Sequence, residues 1–304
     1  VSAADGVALE TVAGRRGHHR LLQGRGSREP LRNEAAAQRW RWTAQSEPDT
    51  QRKNRMSNPY NPKHYWEHRL NKSFNLKGVG HIGFSESYNS WLYRRKKRCI
   101  ESCLRDTPLK DKDILDVGCG TGFFVEWYLK RGANVVGIDI TDVSITNLRQ
   151  RYRGEFFTQD ITASDYRAYR EFDIVNMWDV IYHIVESHSF NQALDNVSRS
   201  LKQGGLFLFT DWLGAFSDVR IADHVQARCL GTYQKILAKK GFELIGIYPL
   251  YNTLNRTNLK TLDNYLACVY FLLDNLSKTI PHDNLSLSVW RHSQPRKWMA
   301  AQNV

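Results

Sequence analysis

Short apolar runs alternate with amphipathic stretches through the middle of this chain. From Asp113 onward the runs are ILDVG (114–118), NVVGID (134–139), FFTQD (156–160), DIVNMW (173–178), LFLFTD (206–211) and FELIGIY (242–248). Runs this short, rich in β-branched and aromatic side chains, predict strands. Between them the spacing predicts helices over Phe123–Arg131, Val143–Tyr152, Ser187–Leu201 and Thr232–Lys240. Strands alternating with helices predict an α/β fold with a doubly wound, parallel sheet, and right-handed crossovers then place helices on both faces. Upstream, Trp91, Leu92, Ile100 and Leu104 predict a helix over Glu86–Arg105, and three glycines in 76–84 predict a loop. After Tyr251 the alternation stops. Residues 262–278 predict a helix whose apolar spacing suits core packing, or a lid or dimer contact, and Ser286–His292 predict a last strand.

Composition narrows the class. The 304 residues are 41% hydrophobic and 24% charged, enough for a buried core. No apolar run reaches the roughly 18–20 residues of a membrane span. The five cysteines form no CxxC pair, which argues against a zinc ribbon or a disulfide scaffold, and no metal site is expected. Cys99 and Cys103, one helical turn apart, read as two half-buried thiols. The first thirty residues lack the apolar core of a signal peptide, so a reducing, cytoplasmic setting is expected.

The net charge is +12, of which residues 1–55 supply +5. That segment is rich in Arg, Gly, Ala and Gln and has weak periodicity, which predicts a disordered extension. The change of texture at Met56 makes that residue the expected natural start; an Arg-rich targeting or binding arm is the other reading, against which its six acidic residues count. The densest basic run, Arg94–Arg98, would wrap all sides of a helix and reads as a solvated helix before a nucleic-acid face.

The sharpest motif is Leu115-Asp116-Val117-Gly118-Cys119-Gly120-Thr121-Gly122, between a strand and a helix. Glycines there permit a tight turn and a close approach by a ligand. Asp139 ends the next strand, 21 residues beyond Gly118, where a carboxylate can accept from both ribose hydroxyls. A dinucleotide loop, G-x-G-x-x-G, would need glycine at position 123, which is Phe. A phosphate-binding loop would end in Lys-Ser/Thr, which is absent.

On these residues the chain resembles the class I S-adenosylmethionine-dependent methyltransferases, in the small-molecule, type 11/12-like branch. The resemblance covers about 113–249 by motif. It implies a Rossmann-like seven-stranded sheet of order 3-2-1-4-5-7-6, the last strand antiparallel. It also implies a helical N-terminal cap (56–112), a cofactor-binding core (113–249), an insert (250–284) and a closing strand and tail (285–304). S-adenosyl-L-methionine is the implied cofactor. Asp116, Gly118, Cys119, Gly120, Thr121 and Gly122 would pack on its methionine part and Asp139 on ribose. Ile140, Asp160 and Ile161 would meet adenine. Trp178 and Asp179, in NMWDVIYHI, would flank the methyl-transfer position. Tyr65-Trp66-Glu67-His68-Arg69 is similar to a YW-x-x-R element whose Arg reaches the cofactor carboxylate; Trp66 and Arg69 carry it, and plain helix packing is the other reading.

Methyl transfer needs alignment and dryness, and a base only where the acceptor loses a proton. His183, after the fourth strand, is a candidate base or else a capping residue. Tyr182, Trp212, His224 and Arg228, with Asp211 nearby, are candidate acceptor contacts. A small-molecule acceptor, at O, N or C, is the leading reading. The alternatives are a nucleic-acid methyltransferase, a catalytically silent cofactor-binding scaffold, and, weakened by Phe123, a nicotinamide oxidoreductase.

Overall fold

A computed structural model describes residues 60–81, 85–213, 217–250, 269 and 285–293. The expectations for 1–55, for the helix 262–278 and for most of the insert lie outside these residues.

Two short capped helices and a longer one precede the sheet. α1 (Pro62–Lys72) starts where Pro sits at the first helical position and the Asn61 side chain accepts from His64 N–H at 3.0 Å. α2 (Leu76–Val79) is a single turn capped by Asn75, so the segment 76–84 is not wholly the loop its glycines suggest. Asn75 Oδ1 accepts from both Lys77 and Gly78 N–H, and that capping outweighs the glycine. α3 (Glu86–Cys103) begins at the Ser85 cap.

The alternating region then follows the expected order. It runs β1 (Asp113–Val117), α4 (Phe123–Leu129), β2 (Asn134–Asp139), α5 (Asp142–Arg151), β3 (Glu155–Thr158) and β4 (Phe172–Met177). A 3-10 turn (Ile181–His183) leads to α6 (Ser187–Ser200) and β5 (Leu201–Asp211). β5 starts five residues before the apolar run LFLFTD, because Leu201 already pairs with Phe172 across an irregular register. A hairpin, β6 (Val219–Ala222) and β7 (Val225–Ala227), follows, in a segment for which the sequence predicts no strand. α7 (Leu230–Lys239), β8 (Phe242–Pro249) and β9 (Ser286–His292) complete the described chain.

The main sheet has seven strands in the order β3-β2-β1-β4-β5-β9-β8, and β9 runs antiparallel to both neighbours. Numbered without the hairpin, this is the expected 3-2-1-4-5-7-6. Strand side chains alternate between two cores. On one face Ile114 and Leu208 pack with Tyr93 and Ile100 of α3, Phe124 of α4 and Leu148 of α5. On the other Leu115 and Phe207 pack with Leu194 and Val197 of α6 and Tyr233 of α7. Burial on both faces explains why the strands read as continuous apolar runs. The carboxyl ends of β1, β2 and β4 meet at the switch between β1 and β4, where such sheets open a crevice.

Candidate functional site

The glycine loop leaves β1 at that crevice. Gly118 and Cys119 N–H both donate to Ile138 O, at 2.8 and 3.1 Å, which ties the loop to the end of β2. Gly118, Gly120 and Gly122 all have positive φ, +69°, +51° and +83°. A Cβ at Gly118 would lie 2.3 Å from Val180 Cγ2, and one at Gly122 2.6 Å from Leu148 Cδ2. The first glycine therefore lets the turn after β4 close on the loop, and the third lets α5 pack beside α4.

Asp116 lies beneath the loop, 3% exposed. Asn176 Nδ2 donates to its Oδ1 at 2.6 Å, and Asn176 Oδ1 in turn accepts from Trp178 Nε1 at 2.6 Å and Tyr128 O–H at 3.2 Å. Burial pushes the Asp116 carboxyl up to about 7, partly opposed by the Asn176 hydrogen bond. Asp116 thus ties the end of β1 to β4 through this network. Cys119 is buried, and desolvation holds its thiol well above its ordinary range, so it packs rather than reacts.

Asp139 is where the sequence places a ribose acceptor. Its Oδ2 accepts Gly120 N–H at 2.9 Å, and its Oδ1 accepts the Thr141 N–H and hydroxyl at 2.9 and 2.7 Å. Those three bonds leave acceptor capacity on Oδ2. Asp160 is exposed and turns the chain by accepting Thr162 N–H at 2.8 Å. Ile161, by contrast, is buried with Val117 and Ile138 in the core on the α6 side. Thr121 and Ile140 are half-buried at the ends of β1 and β2.

α1 sits over this crevice. Val79, at the end of α2, would lie 3.0 Å from a Cβ on Gly120. Arg69 donates from Nη2 to Gly80 O at 2.7 Å and from Nη1 to the Tyr65 hydroxyl at 3.2 Å, and its guanidinium lies 4.6 Å from the Trp66 ring centre. Its Nε is buried with no hydrogen-bond partner among the described residues. Glu67 has a role that no local sequence signal marks. Its carboxylate accepts the Asp142 and Val143 N–H groups at 3.0 and 3.2 Å and so caps α5 from outside, while Lys63 pairs with Asp142 at 2.9 Å.

Four separate segments converge beside the turn after β4. Trp66 meets the His183 ring edge-on at 4.9 Å. His183 stacks against His224 at 5.6 Å, and Tyr182 lies 4.6 Å from His183 and 4.7 Å from Trp212. Tyr65 packs on His224 at 4.9 Å. His183 Nδ1 lies 2.6 Å from His224 O; a carbonyl only accepts, so Nδ1 carries the proton and Nε2 keeps its lone pair. Burial pushes His183 down to about 3, so the ring is neutral at physiological pH.

Arg228 is placed differently from the expectation of an acceptor contact. It is 3% exposed, donates to Ile184 O at 2.7 Å and lies 3.8 Å above the Phe190 ring. Asp211, which burial pushes up to about 7, accepts from Tyr233 O–H and Trp212 N–H. Both residues brace the base of the hairpin.

The basic run is not uniformly solvated either. Arg94, Lys97 and Arg98 are exposed, but Lys96 is 4% exposed and its ammonium pairs with Asp179. Tyr93, Lys96 and Ile100 share one face of α3, which the helical spacing of the sequence could have revealed. Among the described residues no group of three or more His, Cys, Asp or Glu could hold a metal ion, and no helix is long and apolar enough to cross a membrane.

These residues fit S-adenosylmethionine. Asp139 retains capacity for hydroxyls, Arg69 Nε is an unused donor suited to a carboxylate, and the glycine loop allows close backbone approach. Residues 114–205 match the family model described as a methyltransferase domain. The ubiquinone biosynthesis O-methyltransferase of Thiobacillus denitrificans is 32% identical over 108 residues, 34% of this chain and 45% of that protein. The mRNA cap guanine-N(7) methyltransferase of Schizosaccharomyces pombe is 30% identical over 137 residues, 40% of this chain and 37% of that protein. The chain thus spans less than half the length of these curated relatives. The crystal structure of the N-methyltransferase NodS from Bradyrhizobium japonicum, in complex with S-adenosyl-L-homocysteine, superposes with a TM-score of 0.52 at 15% identity, over 76% of this chain and all of that one. The glycine loop and the sheet order give the chain the class I S-adenosylmethionine-dependent methyltransferase fold, and its residues 114–205 match a methyltransferase domain.

Proposed function

We propose that this chain transfers a methyl group from S-adenosylmethionine to a small-molecule acceptor at O, N or C. The observation that carries this reading is the convergence of Trp66 of α1 with Tyr182, His183, Trp212 and His224 beside the turn after β4, whose Val180 touches the glycine loop. A wall of ring faces and edges suits a compact, partly apolar acceptor and keeps water from the reacting centre. The bound cofactor would supply the electrophilic methyl group. Asp139 and Arg69 would bind and orient it, and Asp116 and Asn176 would hold the loop beneath it. His183, neutral and with Nε2 free to accept, would orient an acceptor hydrogen; at about 3 its basicity is too weak for it to serve as a strong base at neutral pH.

A nucleic-acid acceptor is the second reading. The net charge of +12 and the likeness to an mRNA cap enzyme favour it. Titration calorimetry of the full chain with S-adenosylhomocysteine, with NADH in parallel, tests the cofactor. Binding of the former alone is expected; binding of NADH alone would overturn the proposal. Methyl-labelled S-adenosylmethionine, offered with phenols, amines and carbon acids against capped and uncapped RNA, then separates the two acceptors. Label entering RNA alone would refute the small-molecule reading.

A further inference from the structure

The turn after β4 is strained. Asp179 has φ +56°, in the left-handed region that side chains other than glycine disfavour, and only Asp111 shares this among the described non-glycine residues. Such a conformation persists where surrounding contacts impose it. Here Asp179 N–H donates to Thr210 Oγ1 at 2.8 Å, Thr210 Oγ1 donates to Asp179 Oδ1 at 3.1 Å, and the Lys96 ammonium holds Oδ2. The next residue, Val180, is the one whose side chain occupies the space a Cβ on Gly118 would need. On the other side Trp178 stacks on Phe124 at 4.4 Å and donates to Asn176, the partner of Asp116.

We propose that Lys96 is a positioning residue for the cofactor loop: its buried ammonium holds Asp179 in the strained turn, and the turn seats Val180 on Gly118. The inference rests on the methyltransferase reading above. Lys96 reaches the turn from α3, which lies outside the motif-bearing core, and its ammonium lies 4.2 Å from the Tyr93 ring centre. The Lys96 and Asp179 side chains are only 5% and 14% exposed. A buried ion pair is poor evidence for stability, because apolar residues of similar volume pack there at no greater cost. What the pair supplies here is direction: a cation at one place selects one carboxylate orientation and therefore one turn geometry. The three glycines of the loop have no side chains to fix its path, so the wall at Gly118 comes from such a neighbour.

The test compares full-length wild type, Lys96→Met, Lys96→Arg and the double variant Lys96→Met/Asp179→Asn, which removes both charges. Each is melted without ligand and titrated with S-adenosylhomocysteine. Lys96→Met is expected to melt lower, because it leaves Asp179 buried without its cation. The double variant is expected to melt near wild type yet bind about tenfold or more weakly, since packing is kept and direction is lost. Lys96→Arg is expected to fall between wild type and the Met variant in affinity. A double variant with wild-type affinity overturns the inference and leaves the methyltransferase reading intact, as does an Arg variant no better than Met. Failure of both Met-containing variants to fold would make the pair a core element and also overturns it. A wild type that does not bind S-adenosylhomocysteine overturns the cofactor reading and this inference with it.

Discussion

Asp139→Asn separates binding from bracing. In the native chain the carboxylate accepts Gly120 N–H through Oδ2, at 2.9 Å, and Thr141 through Oδ1. Asparagine can keep its carbonyl towards Thr141, but its amide then faces Gly120 N–H, donor against donor. The ribose hydroxyls also lose a charged acceptor. A hydrogen bond to a charged group contributes about 1.5–3 kcal/mol, so affinity for S-adenosylhomocysteine should fall roughly 10- to 150-fold. Stability should change far less. Loss of the Gly120 bond costs about 0.5–1.5 kcal/mol, but asparagine also removes the cost of burying a charge.

The pH dependence of that offset follows from the raised Asp139 carboxyl, whose chief cause is desolvation. A carboxyl raised in the fold contributes stability that is complete below its unfolded value and is lost as pH rises through its folded one. Asparagine does not titrate, so the variant's melting deficit should narrow as pH rises above about 4. Calorimetric titration gives the affinity, and melting of ligand-free protein across pH gives the deficit. Wild-type affinity with unchanged melting would refute the ribose assignment. A melting loss as large as the binding loss would reduce Asp139 to a brace for the loop.

Other outcomes follow from buried groups. Tyr233→Phe removes the hydroxyl that donates to the buried Asp211 carboxyl and should cost about 1.5–3 kcal/mol in urea denaturation; an unmoved midpoint would refute that bond. The His183 ring, pushed down to about 3 by burial, should show no NMR titration between about pH 5 and 8. Its contribution to stability is complete above the unfolded value near 6.5 and is lost as pH falls towards 3, by at most about 1.4 kcal/mol per pH unit. A ring midpoint near 6.5 would place His183 in solvent instead.

Much of the fold was legible because its signals are local. Each strand is an apolar run and each helix an amphipathic stretch, so β1 to β5 and α4 to α7 could be read within a few residues of their ends. The glycine loop was legible because positive φ at Gly118, Gly120 and Gly122 demands a residue type rather than a partner. The position of Asp139 at the end of β2 was legible because its offset from the loop is set by the length of one helix and one strand. The hairpin 219–227 was not: its two short strands carry no long apolar run and pair mainly with each other.

What the chain determined by itself, then, is the order of elements, the sheet they form and the backbone geometry of the cofactor loop, all written in short-range pattern. The tertiary structure alone decided which side chains meet. Lys96 and Asp179 are 83 positions apart and Trp66 and His183 more than a hundred, and no local spacing encodes such pairs. It also decided charge state and role. The same Arg that reads as an acceptor contact at position 228 is buried on backbone carbonyls, and the same Lys that reads as solvated at position 96 is buried on a carboxylate. The physical reason is that burial and long-range pairing set the cost of a charge, and both exist only once the chain has closed on itself.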